Sequence, residues 1–496
     1  AAGNLRGAAG NDSAHGFVIS GLEGLQAITA IFVKTGAVDP ATPAIGDKST
    51  ELANWLNTYY GEVAYNEISF QVAGNGWYQL SHNLDWYEQN SRTPLIDLVQ
   101  EAVDLADADG VDLSTSDHLL VITGETAPRD EWSTSGAWPY RLDGQLKPMT
   151  AGVLNLNLSQ ARVTHLAGRM IGLMDLFAYP DVSPSRPFVG PFSHMSDKDT
   201  EVHMMGWEKW QAGWMDESGH ATGVEVERVA KPAIASPIAN RNFTLSPMDE
   251  DSDEVKLVAI EVGEGLHYTA EYRRSSGLDA ALPDAGVLIA KTNDLVAQGE
   301  GPVIISESNV TAGDLSDAPF TAVNPRKAFD DLGSGVNIEV LSMNNDEAQI
   351  RLNYAVPPFE NDLYVQPHDN RWKTVDIWVD APDTTGAFEA DPRTVMNAGE
   401  KPVVGHTNKV IGRVRNLGAA DATNFEVELE ILDPWGTDGT WQRLNKDTVT
   451  LLQGSATNFN ADYLIVANWT PQTDTHACVK LRVLGVANDI NEANNE

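Results

Sequence analysis

At 496 residues the chain exceeds what one hydrophobic core serves, so roughly two to four domains are expected. Its 71 acidic against 33 basic residues give a net charge of −38, spread along the whole length, which argues against nucleic acid or an anionic membrane as partner. The single cysteine, Cys478, excludes an intramolecular disulfide and every Cys-rich metal pattern, and no apolar run is long enough to span a bilayer.

The opening AAGNLRGAAGNDSAHG is small and polar, as the remnant of a cleaved export signal would be, and equally as a loose end of a cytosolic protein. AITAIFVKTG and HLLVITG are short apolar runs closed by Gly and predict buried strands, whereas TELANWLNTYYGEV and TPLIDLVQEAVDLA carry the i, i+3, i+4 spacing of helices. An α/β layer is therefore expected over residues 1–225. Beyond KPAIASPIANRNF, which reads as a linker, the pattern turns to period two between acidic turns, and a β-sandwich is expected over 226–370. YAVPPFENDLYVQPHDN marks a second seam, and short strands separated by Gly, Asp and Asn turns predict an immunoglobulin-like sandwich over 371–496. The expected class is thus α+β multidomain, an α/β domain followed by two β-sandwiches.

Between Ser159 and Met174 the residues Val163, Leu166, Ala167, Met170, Ile171 and Met174 form one helical stripe. His165 and Arg169, four apart, share a neighbouring face, and Gly172 lets the chain turn to bring Asp175 near them. A zinc-peptidase helix of the H-E-x-x-H type needs two imidazoles one turn apart and a Glu beside the first as general base. Here the register reads His165, Leu166, Ala167, Gly168, Arg169: the base is a leucine and the second ligand a cation.

In this register THLAGRMIGLMDLF resembles the H-E-x-x-H-x-x-G-x-x-D segment of the immune inhibitor A-like secreted metallopeptidases. YYGEVAYNEISFQVAGNGWYQL, AWPYRLDG, SHMSDKDTEVHMMGWEKWQAGWM and AEYRRSSGLDAALPDAGVLIAKTND are similar to further segments of that family, in the same order. The resemblance implies a zincin-like fold for the α/β domain, with His165 and Asp175 as first and third ligands, Gly172 as the turn glycine and Met195 as the Met-turn methionine beneath the site. NKVIGRVRNLGAADATNFEVELEI resembles the adhesion-related immunoglobulin-like modules of bacterial surface proteins.

The departures carry the functional expectation. A general base contributes ~10²–10⁴-fold to rate, and Leu166 takes no proton; Arg169 is permanently charged and repels a metal. With two ligands left, zinc is not expected, and the guanidinium of Arg169 is expected to supply the positive charge that Asp175 would have found in the metal. The alternatives are a secreted zinc peptidase with a rearranged ligand set drawn from His194, His203 or His220, and a carbohydrate-binding surface protein using its tryptophans. Asp107, Asp109, Asp112 and Asp117 around Gly110 read either as a calcium loop or as a solvated turn. MDEDSDE reads as a solvated hairpin tip, and Trp207, Trp210 and Trp214 as core. The resulting expectation is a catalytically inactive peptidase homologue, extracellular or at the cell surface. Its expected role is structural, in assembly or adhesive, with other protein subunits, surface or matrix components, or further copies of itself as partners.

Overall fold

A computed structural model describes residues 22–35, 44–91, 93–124, 131–133, 137–142, 145–179, 182, 187–217, 224–233, 235–263, 265–294, 296, 298–309, 315–357, 363–365, 376–382, 387–388, 400–416, 418, 420–432, 441–454, 462–472 and 477–486. It is mixed α/β with several sheets.

The first sheet is built from β1 (Gly24–Lys34), β2 (Ile68–Gln79), β3 (His118–Thr123), β4 (Glu131–Ser133), β5 (Trp138–Leu142) and β6 (Gln145–Asn155). Its order is β2-β1-β3-β6-β4, with β5 also on β6; β1, β2, β3 and β6 are parallel, and β4 and β5 run against them. The helices α1 (Ile45–Val63), α2 (Leu84–Asn90), α3 (Pro94–Ala108) and α4 (Gln160–Ile171) cover it. The apolar run in β1 is explained by burial on both faces. Ile28, Ala30 and Phe32 join Leu52, Leu56, Val163, Leu166 and Met170 in one core, while Ile31 and Val33 join Leu98, Val99, Ala102 and Val103 in another.

After α5 (Gly206–Ala212) the chain forms two more sheets. One has the order β12-β11-β10-β9-β7, from β7 (Val226–Val229), β9 (Leu257–Gly263), β10 (Leu266–Arg273), β11 (Gly286–Asn293) and β12 (Val303–Ser306). The other has the order β13-β14-β15-β8, from β8 (Ile238–Leu245), β13 (Ala328–Asp331), β14 (Val336–Met343) and β15 (Ala348–Tyr354). They share a core of Val258, Ile260, Tyr268, Ala270, Ile338, Ile350 and Leu352. The five-stranded sheet is covered on its other face as well: Val287 and Ile289 of β11 lie in this core, while Leu288 and Ala290, with Val303 and Ile305 of β12, belong to the core of α1 and α4.

Two expectations change here. The expected linker is a strand from Ile238 onward, because Phe243 and Leu245 pair opposite Ile350 and Ala348 and turn inward while Asn242 and Thr244 face out. MDEDSDE is not a hairpin tip, since the strands it joins, β8 and β9, lie in different sheets; Met248 is buried and Asp249 accepts two hydrogen bonds from Arg274 Nε, at 2.8 and 2.9 Å.

A last pair of sheets comprises β16 (Leu363–Tyr364), β17 (Ile377–Asp380), β18 (Asn408–Asn416) and β21 (Asp462–Trp469), facing β19 (Phe425–Leu432), β20 (Gln442–Val449) and β22 (Cys478–Leu484). Their common core holds Val410, Val414, Phe425, Val427, Ile465 and Leu481. The pairing of Leu363 with Asn416 begins this unit upstream of residue 371.

Candidate functional site

Helix α4 starts where its composition places it. The Ser159 side chain accepts from the Arg162 amide, and the helix ends at Gly172, whose φ of 103° suits a residue without Cβ. The apolar stripe packs on β6, where Leu166 lies against Gly152. Leu166 is therefore a core side chain, turned into the sheet. Gly168 lies so close to the neighbouring segment that an added Cβ would stand 2.7 Å from Met195 Sδ. Met195 thus packs against the helix at Gly168, and its carbonyl accepts from the Leu176 amide at 3.0 Å.

The turn after Gly172 brings Asp175 back to the helix. His165 and Asp175 are both fully buried; His165 Nε2 is 3.5 Å from Asp175 Oδ1, and Arg169 Nε is 3.4 Å from the same oxygen. Tyr179 donates its hydroxyl to Asp175 Oδ2 at 2.8 Å. Burial pushes the Asp175 carboxyl up, but the adjacent His165 imidazole, the charge of Arg169 and the Tyr179 hydroxyl outweigh it and leave it below the ordinary carboxylate value. His165 donates Nδ1–H to the His194 carbonyl at 3.0 Å, which fixes the ring with Nε2 toward Asp175.

His194 is spent on structure: its Nδ1 donates to the Thr200 carbonyl at 3.0 Å and its Nε2 lies 2.9 Å from the Thr164 hydroxyl. Burial first, then His165 beside it, lowers its pKa to about 4. Two tyrosines of α1 clamp the region, Tyr60 donating to the Thr164 carbonyl at 2.7 Å and Tyr59 to the Val202 carbonyl at 2.8 Å. His203 lies in a different cluster, described next, and His220 is outside the described residues.

The second cluster joins the α/β layer to the five-stranded sheet. Arg273 of β10, fully buried, donates to both Asp279 oxygens at 2.7 and 2.8 Å, to Glu271 at 3.1 Å, and to the carbonyls of Phe192 and His203 at 2.9 and 3.1 Å. Asp279 in turn accepts from the His203 amide, and Glu271 from the Gly206 amide. Glu208 of α5 accepts from the Ser193 hydroxyl at 2.6 Å and the Met205 amide at 2.8 Å; burial raises its pKa to about 7. The side chains of this cluster lie in SHMSDKDTEVHMMGWEKWQAGWM and AEYRRSSGLDAALPDAGVLIAKTND, but their joint role follows only from the folded chain.

Chemically, the first cluster offers one imidazole nitrogen and one carboxylate with a guanidinium beside it. A catalytic zinc takes three protein ligands and tolerates no adjacent cation of this kind, so the donor set does not fit one. Among the described residues no group of three or more His, Cys, Asp or Glu side chains is placed to hold a metal ion. The four aspartates of the expected calcium loop are not gathered into such a group. Asp107 lies in the last turn of α3 and Asp109 caps it, its carboxylate accepting from Tyr78 at 3.2 Å; Asp112 accepts from the Ser114 amide and hydroxyl, and Asp117 from the Ala27 amide. Trp207 and Trp214 are buried and Trp210 partly so, in agreement with a core role.

No protein-family description matches the chain, and no curated protein is similar to it. The resemblance to the immune inhibitor A-like peptidases therefore rests on the motifs themselves.

Proposed function

We propose that the chain is a catalytically inactive homologue of the secreted immune inhibitor A-like metallopeptidases. Its proposed role is structural, in assembly or adhesive, outside the cell, with other subunits, surface or matrix components, or its own copies as partners. The observation that carries this reading is the approach of Arg169 to Asp175: a fixed positive charge stands one helical turn from His165, where the family has its second imidazole, and its Nε lies 3.4 Å from the carboxylate that would otherwise serve as third ligand. Leu166, packed into the sheet, leaves the attacking water without a base. The cluster reads as a locked joint between α4 and the segment after it.

Elemental analysis of the purified full chain, together with casein and gelatin digestion with and without chelator, tests the proposal. The expected result is no stoichiometric zinc and no chelator-sensitive cleavage; zinc with proteolysis would establish the rearranged-site peptidase instead. Imaging of the native protein at the cell surface tests the assembly role, for which an ordered array is expected and a dispersed monomer is the contrary result.

A further inference from the structure

Lys209 enters the joint from α5 with its side chain fully buried. Its nitrogen lies 3.0 Å from the Tyr65 hydroxyl, 3.2 Å from the Met248 carbonyl and 3.2 Å from His203 Nδ1. All three acceptors are uncharged, an unusual setting for an ammonium removed from water. The imidazole of His203 is also fully buried, and its Nε2 lies 3.4 Å from Glu62 Oε1, at the end of α1, where the carboxylate is half exposed. A chain of polar groups thus runs from solvent at Glu62 through His203 to Lys209.

The tautomer follows from the contacts. As an ammonium, Lys209 donates to Nδ1, and the neutral ring then carries its proton on Nε2, toward Glu62. A second proton on the ring must sit on Nδ1, where it removes the acceptor of Lys209 and sets two cations 3.2 Å apart inside the protein. The other charges facing the pair are Arg273 and Glu271 of β10, Asp279 beside them, and Lys256, which is paired with Glu225 at 2.7 Å. Arg273 and Lys256 add to the repulsion, and Asp279 and Glu271 oppose it, but the two carboxylates are already engaged by Arg273.

We propose that Glu62, His203 and Lys209 form an acid-sensitive latch: protonation of His203 drives it from Lys209 and loosens the seam between α5, the end of α1 and the five-stranded sheet. The latch is independent of whether the His165 cluster descends from a peptidase. Burial lowers the pKa of both bases, that of Lys209 to about 7, so the stabilisation they carry is present at high pH and is lost as pH falls. Glu208 and Glu271, raised by burial, act in the opposite sense, so the latch is read from differences between variants.

Amide hydrogen exchange of the full chain between about pH 8.5 and 5.5, normalised for intrinsic exchange, follows the opening of α5 and residues 203–205. In the wild type, opening is expected to increase by ~10-fold or more toward the acid end, and Lys209→Met and His203→Gln each to reduce the change below ~3-fold. A wild-type opening that is flat with pH, or an undiminished response in both variants, overturns the proposal. If the buried variants do not fold, Glu62→Gln decides: loss of the carboxylate beside Nε2 shifts the midpoint of the wild-type response to lower pH, and an unmoved midpoint overturns the latch.

Discussion

Arg169 Nε and His165 Nε2 converge on one oxygen, Asp175 Oδ1, from 3.4 and 3.5 Å. The carboxylate is shared between a permanent cation and an imidazole, and its second oxygen is taken by Tyr179. The arrangement holds the end of α4 to the segment that follows.

If the guanidinium occupies the place of a ligand, restoring the ligand restores the metal. Arg169→His is expected to raise zinc affinity by ~10²-fold or more, read by competition with a chelator, because it adds a third ligand and removes the repelling charge. Leu166→Glu alone is expected to bring no zinc. Equal zinc affinity in wild type and Arg169→His would contradict the reading of the site.

Asp175→Asn tests the energetics of the same joint. The folded-state pKa of Asp175 lies below its ordinary value, so the carboxylate contributes stability above the unfolded pKa, and this is lost as pH falls through the folded one. Unfolding in denaturant should show the variant less stable than wild type by ~1–3 kcal/mol at neutral pH, with the gap closing below about pH 4.

Removal of Arg273 leaves Asp279 and Glu271 buried without their cation, together with two carbonyls. Arg273→Met is expected to cost ~3–5 kcal/mol in calorimetric or chemical unfolding. Since the side chain ties β10 to Phe192 and His203, the α/β layer and the five-stranded sheet should lose stability together, as one transition moving in both near-UV and fragment-specific exchange signals.

Glu208→Gln should stabilise the protein on the alkaline side. The folded-state pKa of Glu208 is raised to about 7, so its favourable contribution is complete below the ordinary carboxylate value and lost as pH rises through 7. The amide can still accept from Ser193 and Met205. The variant should match wild type near about pH 5 and exceed it by on the order of 2 kcal/mol at about pH 8.5, by thermal or urea denaturation.

The elements best legible in the amino-acid order are those with a local period: β1, α1, α3, β3 and α4, the last with its serine cap and glycine stop. The convergence of His165, Arg169 and Asp175 was legible for the same reason, since all three lie within one helix and its turn. The joint was not. In LHYTAEYR the alternation reads as a strand with His267, Thr269, Glu271 and Arg273 toward water, yet all four are buried because the α/β layer covers that face. Tyr179 and His194 were equally hidden: their partners are set by the course of the chain between elements, and no period marks them.

The continuity of one apolar cluster from Ile28 to Ala318 bears on how this molecule can be taken apart. A fragment ending near residue 225 would bare the patch that Leu288, Ala290, Val303 and Ile305 normally seal, and the complementary fragment would present the matching greasy wall. Neither half is a module that recombination could trade alone. The α/β layer and the five-stranded sheet fail as a single piece.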